Sequence, residues 1–242
     1  MKITTFILIL GFLSGPASFS QPIEPVITLN DSPVTYAMHI CSDGKHYYAI
    51  NGGVAKDGRI SQFSLEGNFI TYNPLKLDMR SIMYNSRDKS FYINTKEKEI
   101  YKVIDMVNGT VQLVHSGIYE NEQATLALDP KGKYFYALDN GSLSVINAKT
   151  GKLEKKFSGL NCGNKGMKGS TTVAVDKKHL YTWDADTRTV YVYNLNGVFA
   201  GSFQLQQGTV GHSLSIANGL LFVARSEMGK PATWYGYQIP RL

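Results

Sequence analysis

The chain has 242 residues, of which 43% are hydrophobic and 18% charged, and its formal net charge is +6. This composition excludes an intrinsically disordered chain, and the length is sufficient for one domain with a substantial core. The basic residues are scattered along the sequence instead of forming a stripe, which argues against a nucleic-acid partner.

The first 20 residues are predicted to be a signal peptide. Lys2 precedes a compact apolar run over Phe6–Leu13, and small residues just before Gln21 fit a signal-peptidase site. The apolar run is shorter than the roughly 20 residues needed to span a bilayer. We therefore expect a periplasmic or secreted mature chain over residues 21–242, without a membrane span. An uncleaved membrane anchor is the alternative.

In the rest of the sequence, one pattern recurs five times at intervals of about forty to fifty residues. Each copy contains three or four short alternating strands separated by turn residues such as Asp-Gly or Asn-Gly. Such a repeat is typical of β-propeller blades, so the sequence predicts an all-β fold with a single propeller domain over residues 21–242. The first strands of the five copies are predicted at Tyr36–Ile40, Arg80–Tyr84, Ala124–Leu128, Thr171–Val175 and His212–Ile216.

The fifth copy lacks a fourth strand after Thr233–Tyr237, whereas Pro25–Leu29 forms an unassigned strand before the first copy. We predict that Val26–Leu29 pairs beside Trp234–Tyr237 and closes the ring. This closure removes an exposed sheet edge at the seam. Five blades account for the whole mature chain. Six blades are the alternative, and they would require one degenerate blade.

Export would permit a disulfide, and the chain has two cysteines. Cys41 ends the first strand of the first copy, and Cys162 lies in the connection between the third and fourth copies. In a propeller these positions lie on opposite faces and in non-adjacent blades, well beyond the roughly 7 Å between Cα atoms that a disulfide can bridge. The sequence therefore predicts that Cys41 and Cys162 are not bonded to each other.

The third copy resembles the YVTN-type propeller repeat, a bacterial relative of the NHL and WD40 classes. The similarity lies in Leu128-Asp-Pro-Lys-Gly-Lys-Tyr-Phe-Tyr-Ala-Leu138, followed by Ser144-Val-Ile-Asn-Ala-Lys-Thr-Gly151. Fragments of it remain at Tyr101–Asp105 and Val173–Asp176, and the first and fifth copies depart further. The resemblance implies a propeller fold and an extracytoplasmic binding role. Its members range from surface proteins to lyases and lactonases.

The candidate ligand site follows from the predicted geometry. In a propeller the innermost strands surround a central channel, and ligands commonly lie at the mouth where those strands begin. The residues at or just before these starts can all form hydrogen bonds and could form a recognition ring for a small polar or anionic ligand. They are Tyr36, Arg80, Gln123, Ser170 and His212. The alternative interpretation is that strand ends are polar in any soluble protein.

Catalytic and metal-binding patterns are weak in this sequence. The predicted inner strands carry no carboxylate, and Asp129 and Asp176 are expected in turns on the opposite face. Glu122 is the one acid near a strand start on the proposed ligand face. His39 lies within an inner strand and is interpreted as a packed or channel-lining residue. We therefore predict no catalytic residue, no metal and no cofactor.

These observations favour an exported, non-enzymatic, monomeric propeller that binds a small polar or anionic ligand, or a protein partner, at the channel mouth. One alternative is a lyase or hydrolase of the streptogramin-lyase or lactonase kind, with His212, Arg80 and Glu122 as its acid–base and anion-stabilising groups. That alternative predicts a metal, or a histidine within hydrogen-bonding reach of an acid, at the mouth. A structural envelope module is a further alternative, and it predicts an apolar patch on the side of the ring.

Overall fold

The computed structural model describes residues 17–18, 21–33, 36–163, 171–227 and 230–241. In these ranges the structure is all-β, apart from one 3-10 turn at Ala55–Asp57. The strands are β1 (Ala17–Ser18), β2 (Ile27–Pro33), β3 (Tyr36–Ser42), β4 (His46–Gly52), β5 (Arg59–Ser64), β6 (Phe69–Pro74), β7 (Met79–Asn85), β8 (Ser90–Thr95), β9 (Glu99–Asp105), β10 (Thr110–Ser116), β11 (Ala127–Leu128), β12 (Tyr134–Asp139), β13 (Ser142–Asn147), β14 (Leu153–Phe157), β15 (Val173–Val175), β16 (His179–Asp184), β17 (Thr189–Asn194), β18 (Phe199–Gln204), β19 (Ser215–Ala217), β20 (Leu220–Arg225) and β21 (Pro231–Gln238).

The strands form five sheets arranged as a β-propeller, as the repeat predicted, and the strands within each blade run antiparallel. Blade 1 contains β3–β6, blade 2 contains β7–β10, blade 3 contains β11–β14 and blade 4 contains β15–β18. Blade 5 contains β19–β21 and takes β2 as its outer strand. The first strands β3, β7, β11, β15 and β19 contact one another in sequence around the centre of the ring. They are therefore the innermost strands of the five blades.

The ring closes through the N-terminal strand β2, as the sequence predicted. β2 runs antiparallel to β21, with Ile27 opposite Gly236, Thr28 opposite Tyr235 and Leu29 opposite Trp234. Leu29 and Trp234 are fully buried in the apolar core shared by blades 5 and 1. The pairing satisfies the backbone groups of the last blade and adds apolar burial at the seam.

Aspartates stabilise turns that follow the inner strands. The sequence predicted that Asp176 lies in such a turn. In blade 1, Asp43 Oδ1 accepts hydrogen bonds from the N–H groups of Lys45 and His46, both at 2.8 Å. Asp43 Oδ2 accepts the hydroxyl of Tyr48 at 3.1 Å. The same three contacts recur over Asp176–Tyr181 in blade 4. The shared spacing Asp-x-Lys-His-x-Tyr is thus a turn motif, because its carboxylate satisfies backbone donors at the strand junction.

The segment before β2 follows the outer edge of blade 4. β1 pairs in parallel with β18, and Ile23 forms a parallel bridge with Leu205. The N–H of Ile23 donates to the carbonyl of Gln204 at 2.8 Å. Cleavage at the predicted site before Gln21 would remove β1 and retain the contact of Ile23. No helix within the described residues is long and apolar enough to cross a membrane.

The two cysteines are buried thiols and form no disulfide, as predicted. Cys41 and Cys162 are each 5% exposed, and burial raises the pKa of the Cys41 thiol well above its usual value. We expect both thiols to react with a chromogenic disulfide reagent roughly tenfold or more slowly in the native protein than in denaturant. In denaturant, the reagent should detect two reactive thiols per chain. Rapid native labelling of either cysteine would contradict this burial.

Candidate functional site

The ends of the innermost strands define the two mouths of the central channel. We call the end where β3, β7, β11, β15 and β19 begin the strand-start mouth, and the other end the strand-end mouth. Tyr36 and Arg80 are the first and second residues of β3 and β7. Gln123 and His212 shortly precede β11 and β19. All four therefore lie towards the strand-start mouth, whereas Ser170 lies outside the described residues.

Arg80 is held by a carboxylate that sequence reasoning did not single out. Its Nη1 and Nη2 atoms donate to Asp78 Oδ1 at 2.5 Å and Asp78 Oδ2 at 3.3 Å. Nη1 also donates to the carbonyl of Met79 at 3.1 Å. The Arg80 side chain is 6% exposed and that of Asp78 is 12% exposed, so the pair is largely removed from solvent. Its Nε is buried without a hydrogen-bond partner among the described residues.

Tyr36 belongs to the same cluster through Gly53. The N–H of Gly53 donates to Asp78 Oδ1 at 2.7 Å. Gly53 has φ +94°, and a Cβ atom at this position would lie 2.5 Å from Cδ2 of Tyr36. The ring therefore packs on a backbone position where only glycine fits. Tyr36 is 46% exposed, so its other side faces solvent beside the Asp78–Arg80 pair.

A buried polar network joins blades 2 and 3 near this mouth. Nδ2 of Asn94 donates to the hydroxyl of Tyr119 at 3.1 Å and to the carbonyl of Ala124 at 2.8 Å. The Tyr119 hydroxyl donates to the carbonyl of Thr95 at 3.0 Å, and Ser81 donates to Asn94 Oδ1. Burial raises the pKa of Tyr119 to about 12, so its hydroxyl stays protonated. The network fixes the inner strand that carries Arg80.

Hydroxyl groups link blades 3, 4 and 5 near the same mouth. The Oγ1 atom of Thr171 lies 2.8 Å from Nδ1 of His212, which links blade 4 to the start of blade 5. Thr125 donates to the hydroxyl of Thr172 at 2.8 Å, and Thr172 donates to the carbonyl of Leu214 at 3.3 Å. His212 is half-buried. These contacts hold its imidazole at the rim of the strand-start mouth.

Gln123 is anchored on the blade 3 side of the rim. Its N–H donates to Asn121 Oδ1 at 2.8 Å, and Asn121 Nδ2 donates to Asp139 Oδ1 at 2.7 Å. Its side-chain amide lies 3.4 Å from the carboxylate of Glu122, which is exposed. The strand-start mouth thus combines a paired arginine, an amide, an imidazole and a phenol from four blades.

The strand-end mouth has a different chemistry. A cavity of about 100 Å³ lies there. His39 lines it and is 4% exposed. Its Nδ1 donates to the carbonyl of Ile82 at 3.0 Å, and its Nε2 is buried without a hydrogen-bond partner in the described part of the chain. Burial lowers the pKa of His39 to about 4, so the imidazole is neutral at pH 7. Most of the other side chains along this cavity are apolar, including Ile82, Leu128, Val175 and Ile216.

Within the described residues there is no cluster of three or more histidine, cysteine, aspartate and glutamate side chains arranged to hold a metal ion. Asp129 lies in a turn at the opposite face, as expected, where its carboxylate accepts the N–H groups of Lys133 and Tyr134 at 2.5 and 2.7 Å. Asp78 is the carboxylate closest to the candidate ring, and both of its oxygens already accept hydrogen bonds.

Comparisons with known proteins support the propeller fold and indicate no specific function. No family model and no curated protein matches the chain. A crystal structure of the glutaminyl cyclase of Myxococcus xanthus is similar, with a TM-score of 0.63 and 12% identity, covering 90% of this chain and 98% of that one. Apo AztD from Citrobacter koseri superposes loosely, with a TM-score of 0.41 and 11% identity over 74% of this chain and 50% of AztD. At this identity the likeness shows the propeller fold alone. The YVTN-type resemblance stays a prediction.

Proposed function

We propose that the protein is an exported propeller that binds a small polar or anionic ligand at the strand-start mouth, without converting it chemically. The observation that carries the proposal is the buried Arg80, whose Nε–H has no acceptor among the described residues. Buried donors are almost always hydrogen-bonded, and this one is closed to solvent, so binding would require the Arg80 side chain to shift and offer the donor to a ligand oxygen. Tyr36 and His212, on the rim of the same mouth, would add a hydroxyl and an imidazole.

The charge of Arg80 narrows the ligand. Because Asp78 accepts two hydrogen bonds from the guanidinium, the pair is close to neutral as a unit. The site would therefore favour a ligand with polar oxygens and at most a modest negative charge. Catalysis is disfavoured for a related reason, since Asp78 is engaged by Arg80 and Gly53 and is not available as a general base.

The test is binding of a panel of small monocarboxylates, dicarboxylates and sugar phosphates, followed by titration calorimetry with the best member. We expect His212→Gln and Tyr36→Phe each to weaken binding about tenfold with an unchanged melting temperature, since a hydrogen bond to a charged group contributes roughly 1.5–3 kcal/mol. Arg80→Ala is expected to abolish binding and to lower stability, because it leaves Asp78 without its partner.

Lys102→Gln is the matched control, because Lys102 is a half-buried cation on blade 2 away from this mouth. It should leave binding unchanged. Affinity that survives in both Arg80→Ala and His212→Ala would refute a ligand site at the strand-start mouth.

A structural or partner-binding role is favoured by one separate observation. The outer strand β6 of blade 1 exposes Phe69, Ile70 and Tyr72, which are 45%, 48% and 52% exposed. Exposed apolar side chains on an outer strand can mediate protein contacts. Sedimentation of the purified protein would test this role, because self-association that Ile70→Lys abolishes would assign β6 to an interface between copies.

A further inference from the structure

A separate groove lies between blades 3 and 4, on the face of the ring opposite the strand-start mouth. Its volume is about 510 Å³, which is within the usual range for small-molecule sites. The walls come from the turn after β11, the first half of β12, the turn before β16 and Leu195. Three lysines and two tyrosines supply most of its chemistry: Lys131, Lys133, Lys177, Tyr134 and Tyr136.

The two carboxylates in this groove are already engaged as acceptors. Asp129 Oδ1 accepts N–H groups at 2.5 and 2.7 Å, and its Oδ2 accepts the N–H of Lys131 at 3.2 Å. Asp176 Oδ1 accepts two N–H groups at 2.6 and 2.7 Å, and its Oδ2 accepts the Tyr181 hydroxyl at 2.7 Å. These bonds stabilise the turns and spread the negative charge over many donors. The three exposed ammonium groups are therefore the charges that a ligand would meet first.

Tyr136 adds a hydroxyl donor to the groove. It is 6% exposed and lines the groove, yet its hydroxyl has no hydrogen-bond partner within the described residues. Burial and the nearby Asp129 raise the pKa of Tyr136 to about 12, so the hydroxyl remains a donor. The buried polar atoms that lack a partner among the described residues do not include this hydroxyl, so it reaches the solvent of the groove and can donate to an oxygen of a bound molecule.

The tyrosine hydroxyls and the lysines together define what kind of molecule fits. Lys133 Nζ lies 5.0 Å from the centroid of the Tyr134 ring, which holds a cation against an aromatic face. Tyrosine hydroxyls can donate to sugar oxygens, and lysines pair with carboxylates as flexible point charges. We propose that the blade 3–4 groove binds the uronic-acid units of an acidic oligosaccharide. This site is independent of the ligand proposed at the strand-start mouth, because the two lie on opposite faces.

The experiment uses oligogalacturonate as the probe and its fully methyl-esterified form as the uncharged counterpart, both titrated into the mature protein. We expect the acid form to bind and the ester to bind at least tenfold more weakly. The double variant Lys131→Gln/Lys177→Gln should lose about tenfold in affinity, and Tyr136→Phe severalfold. Lys131 and Lys177 are exposed, so these substitutions leave the core unchanged.

Lys178→Gln is the matched control, since Lys178 follows Lys177 in the same turn and does not line the groove. It should retain the affinity of the unmodified protein. Equal binding of acid and ester, equal losses in Lys178→Gln and in the double variant, or no binding of oligogalacturonate would each overturn the proposal. Full displacement by equimolar inorganic phosphate would also overturn it, because the site would then recognise a bare anion instead of a sugar.

Discussion

Replacing Asp31 with alanine is expected to lower the free energy of unfolding by about 3 kcal/mol. Asp31 lies on the closing strand β2 and is 5% exposed. Its Oδ1 accepts Arg59 Nη2 at 3.1 Å, and its Oδ2 accepts the hydroxyl of Ser61 at 2.5 Å. The truncation leaves a guanidinium that is only 16% exposed without its carboxylate. Chemical denaturation followed by tryptophan fluorescence would measure the loss.

Because of the position of this ion pair, Asp31→Ala should destabilise one part of the ring more than the rest. The Asp31–Arg59 pair joins β2, the outer strand of blade 5, to β5 of blade 1. It therefore stabilises the closure of the ring. Amide hydrogen exchange in β2 and β21 should accelerate more than in blade 3. Lys102→Ala, which removes an exposed ion pair with Asp88, should cost less than 1 kcal/mol. A cost for Asp31→Ala no greater than this control would contradict the assignment.

Stability is expected to fall by roughly 3 kcal/mol between pH 6.5 and pH 4 because of His39 alone. The folded pKa of His39 is about 4, below its usual value of 6.5, because burial disfavours the imidazolium. Above pH 6.5 both folded and unfolded chains hold a neutral His39, so the group has no effect there. Between these values the unfolded chain binds a proton that the folded chain does not, which favours unfolding as the pH falls.

Denaturation midpoints at pH 7.0, 5.5 and 4.5 would measure this slope. His39→Gln should flatten it, whereas His46→Gln, which alters a histidine at the start of β4, should preserve it. Although burial opposes the shift, hydrogen bonds and nearby charges hold the pKa values of Asp43 and Asp88 below their usual range. The stabilisation from these carboxylates is therefore lost only in more acidic solutions. An identical slope in the His39→Gln variant would show that another group is responsible.

The sequence alone determined the architecture, because strand alternation and turn chemistry are local properties repeated five times. The five inner strands, the turn at Asp176–Lys178 and the pairing of Val26–Leu29 beside Trp234–Tyr237 all follow from residue order. The closure was predictable because the fifth repeat lacks a strand that the N-terminal segment can supply. The sequence also predicted that all five ring residues lie at one mouth, since every inner strand runs in the same direction. Four of them lie towards the strand-start mouth, and Ser170 lies outside the described residues.

Only the tertiary structure decided what those side chains contact. The sequence indicates that Arg80 is an available cation, but the structure pairs it with Asp78. Asn94 contacts Tyr119, which lies 25 residues further along the chain. The blade 3–4 groove likewise depends on two turns, at Asp129 and Asp176, that come together because neighbouring blades pack side by side. Such contacts depend on blade angles and side-chain rotamers between distant residues, and a pattern with a period of two residues carries no information about them.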